Sequence, residues 1–240
     1  MKDIRFWSLA IIVITTTSLT VSCAKESPIP QWAQHKAEII KLPPDACENL
    51  LEIVNRGRRI PECHFDDLVD LNKAGLNTGG DEEFLRNAAA KDLIALMTAA
   101  GADGIRLSVI SAFRDYAAQE AIWDYHISEG GKFQAQTTTF HAGFSEHHLG
   151  TSVDIGRVDL FGNAVFDMDL GSTEEYAWLQ KNASRFQYFQ RYPIGQEHIT
   201  GLRAEAWHFR WLPAAALKAF LNSGANTYDE WKGLGGNQIP

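Results

Sequence analysis

Two short segments constrain the fold of this chain more than anything else in it: Ser145-Glu146-His147-His148-Leu149-Gly150-Thr151-Ser152-Val153-Asp154 and Glu205-Ala206-Trp207-His208. Together they offer two imidazoles, one carboxylate suited to ligation and one spare carboxylate. That is the donor set of a catalytic zinc, which needs three protein ligands, an open position for water and a base beside it. Ligands to one ion converge at about 2 Å from it, so the fold must bring the two segments side by side. His147 and Asp154 are seven positions apart, about 23 Å in a fully extended chain. The chain therefore turns between them, and Gly150 accepts the unusual dihedrals of such a turn. Asp154 then lies on the following strand, with Val153 and Ile155 anchored in the core. Glu205 and His208 are three apart and would face opposite sides of an uninterrupted strand. If both serve one ion, the backbone must bend or bulge between them. Glu205 would then accept a proton from the attacking water and pass it to a leaving amine.

Periodicity fills in the surroundings. Residues 81–100 read as a helix with Leu85, Ala89, Leu93 and Leu96 on one stripe and Gly101 able to end it. Residues 106–113 are apolar and β-branched, a strand. Asp115 can cap a helix that carries Ala118, Ile122 and Tyr125 on one face. Residues 130–144 are polar and glycine-bearing, a loop. Residues 174–183 read as a helix. Trp207, Phe209 and Trp211 alternate with His208 and Arg210, so this segment is a strand with its aromatic face toward the core. Pro213 opens a last helix to about 221. The expected fold is α+β: a small antiparallel sheet flanked by helices, with the zinc site at the sheet face.

The chain has 240 residues and a formal net charge of −8. It shows no basic stripe, so nucleic acid is not an expected partner. Lys2 and Arg5 precede an apolar run over residues 6–14, too short for the roughly 20 residues of a bilayer span but suited to a signal-peptide core. Val21-Ser22-Cys23 resembles a lipobox, although Thr20 stands where Leu is usual. Lipidation of Cys23 is the leading reading; cleavage near Ser22 without a lipid and a buried N-terminal strand are the alternatives. The remaining cysteines, Cys47 and Cys63, form an even pair, which in an exported protein suggests a disulfide; two free thiols are the alternative. The expected organisation is a lipoprotein-type signal peptide over 1–22, a tether and N-terminal segment over 23–65, an enzyme domain over 66–222 and a loose tail over 223–240.

The two motifs resemble those of the zinc D-alanyl-D-alanine carboxypeptidases, a VanY-like group that also includes D-Ala-D-Ala dipeptidases and L,D-carboxypeptidases. The likeness is carried by Ser-x-His-x-x-Gly-x-x-x-Asp followed by Glu-x-Trp-His. It extends to Ser111-Ala112-Phe113-Arg114-Asp115-Tyr116-Ala117-Ala118-Gln119, to Arg191-Tyr192-Pro193 and to Thr200-Gly201. It implies one zinc per chain on His147, Asp154 and His208, with Glu205 as the catalytic base. It also implies that Arg114 steadies the developing oxyanion, and that Arg114, Gln119 and Ser145 contact the substrate. Phe113, Asp115 and Ala206 depart from the usual Tyr, Ser and Pro, and none of these changes removes a ligand or the base. The implied activity is removal of a terminal D-alanine from peptidoglycan stem peptides by an exported, envelope-anchored monomer. A dipeptidase or endopeptidase on the same scaffold and a non-catalytic wall-binding lipoprotein are the alternatives; the intact base and ligands argue against the last. Among the other histidines, His148 falls off the ligand spacing and His141 sits in a loop. His35, His64, His126 and His198 read as structural or solvated. Arg210 reads equally as a carboxylate holder and as a surface ion-pair partner. Asp159, Asp167 and Asp169 lack a full calcium-loop pattern and read as a solvated loop.

Overall fold

A computed structural model describes residues 39–233. The signal-like segment, Cys23 and His35 lie outside the described residues. In chain order, β1 (Ile40–Lys41) pairs in parallel with β2 (Arg58–Arg59), and β3 (Leu68–Asp70) pairs antiparallel with β4 (Phe84–Arg86). There follow α1 (Asn87–Ala102), β5 (Leu107–Ser111), α2 (Tyr116–Thr138), a 3-10 turn (Glu146–Leu149), β6 (Ser152–Val158) and β7 (Ala164–Val165). The chain continues through α3 (Glu174–Asn182), β8 (Tyr188–Tyr192), α4 (Glu197–Thr200), β9 (Glu205–Trp211), α5 (Ala214–Asn222) and α6 (Tyr228–Trp231). The main sheet runs β5-β6-β9-β8, with β7 on β6, and every pairing in it is antiparallel.

Strand alternation divides this sheet into two chemistries. Val109, Val153, Ile155, Tyr188, Phe209 and Trp211 face one way and join Leu85, Ala89, Leu93, Leu96 and Leu179 in the main apolar core. Ser152, Asp154, His208, Arg210 and Arg191 face the other way and are buried. The predicted stripe is thus real, but Leu85 reaches the core from β4 rather than from a helix. The helix runs past Gly101, and Gly104, at φ 81°, makes the turn after it. Asp115 caps α2 as expected, accepting from the Ala118 amide at 2.8 Å. The expected loop over 130–144 is helical as far as Thr138. It breaks once, at Gly131 (φ 69°), and a polar surface conceals the buried Ala135 and Thr137.

Both ends of the described chain are better packed than the sequence suggests. The expected N-terminal segment contributes Ile53, Val54 and Ile60, all buried, and a Cys47–Cys63 disulfide, whereas the tether read over residues 25–30 lies outside the described residues. The expected loose tail holds α6, closed by a capping box between Thr227 and Glu230, with Tyr228 and Asp229 buried. Ile53, Phe189, Leu217, Phe220 and Tyr228 form one apolar cluster, so the two ends are packed together.

Candidate metal centre

The turn comes first. Ser145 Oγ accepts from the His147 amide at 3.4 Å, starting the 3-10 turn. Gly150 ends it in the left-handed region at φ 64°. A Cβ there would also meet Arg86 Cγ at 2.9 Å, so both conformation and space favour glycine. The chain then enters β6, where Asp154 stands directly opposite His208 of β9. Directly paired residues have Cβ atoms about 5 Å apart, and this register alone brings two of the three candidate ligands together.

The expected irregularity in β9 is present. Gln190 pairs with Phe209, but Tyr192, two residues on, pairs with Glu205, four residues back. The extra length is a bulge over residues 205–209. The Gln190 amide fills it, donating from Nε2 to the Glu205 carbonyl at 3.0 Å. The bulge places Glu205 and His208 at the same site. It also lifts Trp207 off the aromatic face: only Phe209 and Trp211 reach the core, whereas Trp207 lines the cavity edge-on to Phe166 at 5.0 Å.

Donor atoms of His147, Asp154 and His208 lie within 4.8 Å of one another, and all three residues are buried. His147 Nε2 is 3.2 Å from His208 Nδ1 and 3.3 Å from Asp154 Oδ2. His208 Nδ1 is 3.0 Å from Asp154 Oδ1. His147 Nδ1 faces the Ala112 carbonyl; a carbonyl only accepts, so Nδ1 carries the proton and the Nε2 lone pair points into the cluster. Burial, aided by Arg114, lowers the His147 pKa to about 4, so this ring is neutral and ready to ligate. Burial also acts to lower His208, but the Asp154 and Glu146 carboxylates outweigh it and raise the value to about 9. For Asp154, burial opposes ionisation, yet the two histidines hold the group well below the usual carboxylate range. Two imidazole nitrogens and a carboxylate oxygen converging on one point fit a divalent cation of the zinc type.

Around the cluster is a cavity of about 630 Å³ lined by Arg114, Ser145, Tyr192, Arg203, Glu205 and Trp207, among others. Glu205 Oε2 lies 3.7 Å from His208 Nδ1. Burial, with a contribution from the Asp154 charge, lifts its carboxyl to about 8. Arg114 is half-buried, and its Nη2 is 3.7 Å from Asp154 Oδ2. Its Nε has no hydrogen-bond partner among the described residues, a donor left for whatever enters the cavity.

Other expected residues fall elsewhere. Gln119 is buried outside the cavity, with Nε2 donating to Thr139 Oγ1 at 3.1 Å and to the Phe140 carbonyl at 2.7 Å; it holds the cavity wall rather than facing its contents. His148 is a strut: Nδ1 donates to the Arg114 carbonyl at 2.7 Å, and Nε2 accepts from the Gly143 amide at 2.9 Å. His141 stacks on Trp123 at 3.6 Å, outside the cavity, whereas His126 lines the cavity. Asp159 is spent on the Phe161 and Asn163 amides, and Asp167 on Arg157. Sequence reasoning missed Glu83, whose Oε2 accepts from the Ala112 amide at 2.6 Å and so steadies the residue whose carbonyl holds His147. It also missed Glu146 and Asp229, which pair with Arg191 behind His208. Arg210 is buried on Glu146, not at the surface.

Comparison with known proteins agrees with this geometry. The chain is 30% identical over 189 residues to a D-alanyl-D-alanine carboxypeptidase of Enterococcus faecalis (strain ATCC 700802 / V583), an alignment covering 75% of this chain and 65% of the relative. The chain thus spans less than two thirds of that curated relative's length. Among solved structures it resembles the LdcB LD-carboxypeptidase, with a TM-score of 0.70, 26% identity and coverage of 85% of this chain and 96% of the other. It also resembles a variant of the vancomycin-resistance D,D-pentapeptidase VanY in complex with Zn(II), with a TM-score of 0.63, 28% identity and coverage of 76% and 98%. Residues 82–214 match the VanY family, described as D-alanyl-D-alanine carboxypeptidase. By that match, over more than half of its length, the chain belongs to the VanY family of D-alanyl-D-alanine carboxypeptidases.

Proposed function

We propose that this protein is a zinc carboxypeptidase that removes a terminal D-alanine from peptidoglycan stem peptides. The observation that carries this reading is the convergence of His147, Asp154 and His208 within 4.8 Å in a cavity that also presents Glu205 and Arg114. The family and the Zn(II) complex of the VanY relative support it. His147 Nε2, an Asp154 carboxylate oxygen and His208 Nδ1 would hold the ion. When bound, zinc supplies Lewis-acid polarisation of a carbonyl and makes water acidic enough to attack near neutral pH.

The chain's own groups do the rest. Glu205 takes the proton of the attacking water and delivers it to the leaving D-alanine nitrogen; a carboxyl lifted to about 8 by burial is matched to that task. Burial pulls the Arg114 pKa down from its usual value, against the opposing pull of Asp154 and Glu205. Its unpartnered Nε–H is preorganised for negative charge developing on the scissile oxygen. Ser145, at the cavity wall, contacts the peptide, while Gln119 supports that wall through Thr139 and Phe140.

The enzyme acts outside the cytoplasm as a monomer, tethered to the envelope through lipidated Cys23. The charged start, the short apolar run and Val21-Ser22-Cys23 support this. Incubation of purified protein with tetra- and pentapeptide stems, with products identified by mass, tests the activity. Loss of one alanine from the pentapeptide is the expected result. Release of a dipeptide would point to a dipeptidase, and cleavage of neither stem would reject the reading.

A further inference from the structure

We propose that Glu146 is a positioning residue for His208, held in place by a buried set of charges that ends in the C-terminal helix α6. Glu146, Arg191, Arg210 and Asp229 are almost wholly inaccessible to solvent. Arg191 Nε and Arg210 Nη1 both lie 2.9 Å from one carboxylate oxygen of Glu146, Oε1. Arg191 also pairs through Nη1 with Asp229, and Asn55 Nδ2 donates to the other Asp229 oxygen at 3.2 Å. Arg210 Nη2 is tied to the Leu50 and Glu52 carbonyls at 3.1 and 3.0 Å. Two cations balance two anions.

Ionic groups are a costly way to fill space, since each loses its hydration on burial. What this set provides is one aimed atom. With Oε1 occupied by two guanidinium groups, Glu146 Oε2 faces His208 Nε2 at 3.7 Å, and neither atom has a hydrogen-bond partner among the described residues. A free imidazole can ligate through either nitrogen. A fixed carboxylate at Nε2 keeps the proton there and leaves the Nδ1 lone pair for the cluster with His147 and Asp154. This is the carboxylate–histidine–metal arrangement that orients ligands in other metal sites. Asp229 takes up the charge of Arg191 that would otherwise draw Glu146 away from His208. It lies beyond residues 82–214, the stretch that carries the family match.

The inference rests on the metallopeptidase reading, and its test separates the two. Zinc affinity is measured by chelator competition on the folded wild type, Glu146→Gln and Asp229→Asn, and the imidazole nitrogens of the zinc-loaded wild type are assigned by NMR. The expected result is His208 bound through Nδ1 with a proton on Nε2. Glu146→Gln should bind zinc 10- to 100-fold more weakly, the usual scale for losing such a partner, and Asp229→Asn should shift affinity less but in the same direction. A merely structural role would lower thermal stability and leave the affinity of the folded protein alone. Unchanged affinity in either folded variant, or His208 bound through Nε2, overturns the inference. Should Glu146→Gln not fold, Asp229→Asn and the wild-type spectrum decide. A wild type that takes up no zinc overturns the metal reading itself.

Discussion

Glu205 and His208 show how single residues divide the work. In the proposed mechanism Glu205 moves protons and does not ligate, so Glu205→Gln, which keeps its shape, should retain zinc and fold. Turnover should fall by at least ~10²-fold, the scale for losing a general base; zinc content, thermal unfolding and D-alanine release from one preparation check this. His208 makes a prediction about pH. Its pKa in the metal-free chain is raised to about 9, so at neutral pH a proton must leave before Nδ1 can bind a cation. Zinc affinity should therefore rise with pH until about 9, and zinc binding near pH 7 should release about one proton. Calorimetry in buffers of different ionisation enthalpy measures that proton, and a release of zero would contradict the assignment. The clustering of His147, Asp154 and His208 was legible in the sequence because their spacing and types are restrictive. Gln119 was not, because its role depends on where Thr139 and Phe140 arrive in space. Glu146, Arg191 and Asp229 were not legible as a set, because nothing local marks partners so far apart.

At the scale of elements, the site depends on strand register and one bulge. Asp154 opposite His208 follows from the β6–β9 pairing, and alternation in the sequence foretold both strands. The need for a bulge was also legible, since Glu205 and His208 otherwise diverge. Its form was not, and neither was the displacement of Trp207, because the bulge is braced by an amide on another strand. Gln190 Oε1 accepts from Tyr176 Oη at 2.8 Å and Gln180 Nε2 at 2.9 Å, which leaves Nε2 aimed at the Glu205 carbonyl. Gln190→Ala should cost about 1–3 kcal/mol, the usual penalty for a buried group left unpaired. It should also lower turnover while zinc content holds, because it loosens the base and not the ligands. Urea unfolding and kinetics on the same variant test this; wild-type turnover would mean that the bulge holds itself.

Across the whole molecule, the sheet's polar face is closed by the two parts that composition marked as loose. Polar and proline-rich residues hide the few apolar side chains, such as Ile53, Ile60 and Tyr228, that anchor them. The backbone of residues 50–52 receives Arg210, and α6 supplies Asp229, so the ends support the site from behind. The Cys47–Cys63 bridge closes a loop of 16 residues in that N-terminal segment. Replacing both cysteines by serine should lower the unfolding free energy by about 3 kcal/mol, measurable by denaturant titration; an unchanged midpoint would show that packing alone secures the segment. The central claim is that His147, Asp154 and His208 hold one zinc that the peptidase reaction requires. Its most direct measurement is D-alanine release from a pentapeptide stem by metal-depleted protein titrated with zinc. No release is expected without metal, and recovery should saturate at one zinc per chain. Full turnover by the metal-depleted protein would contradict the claim.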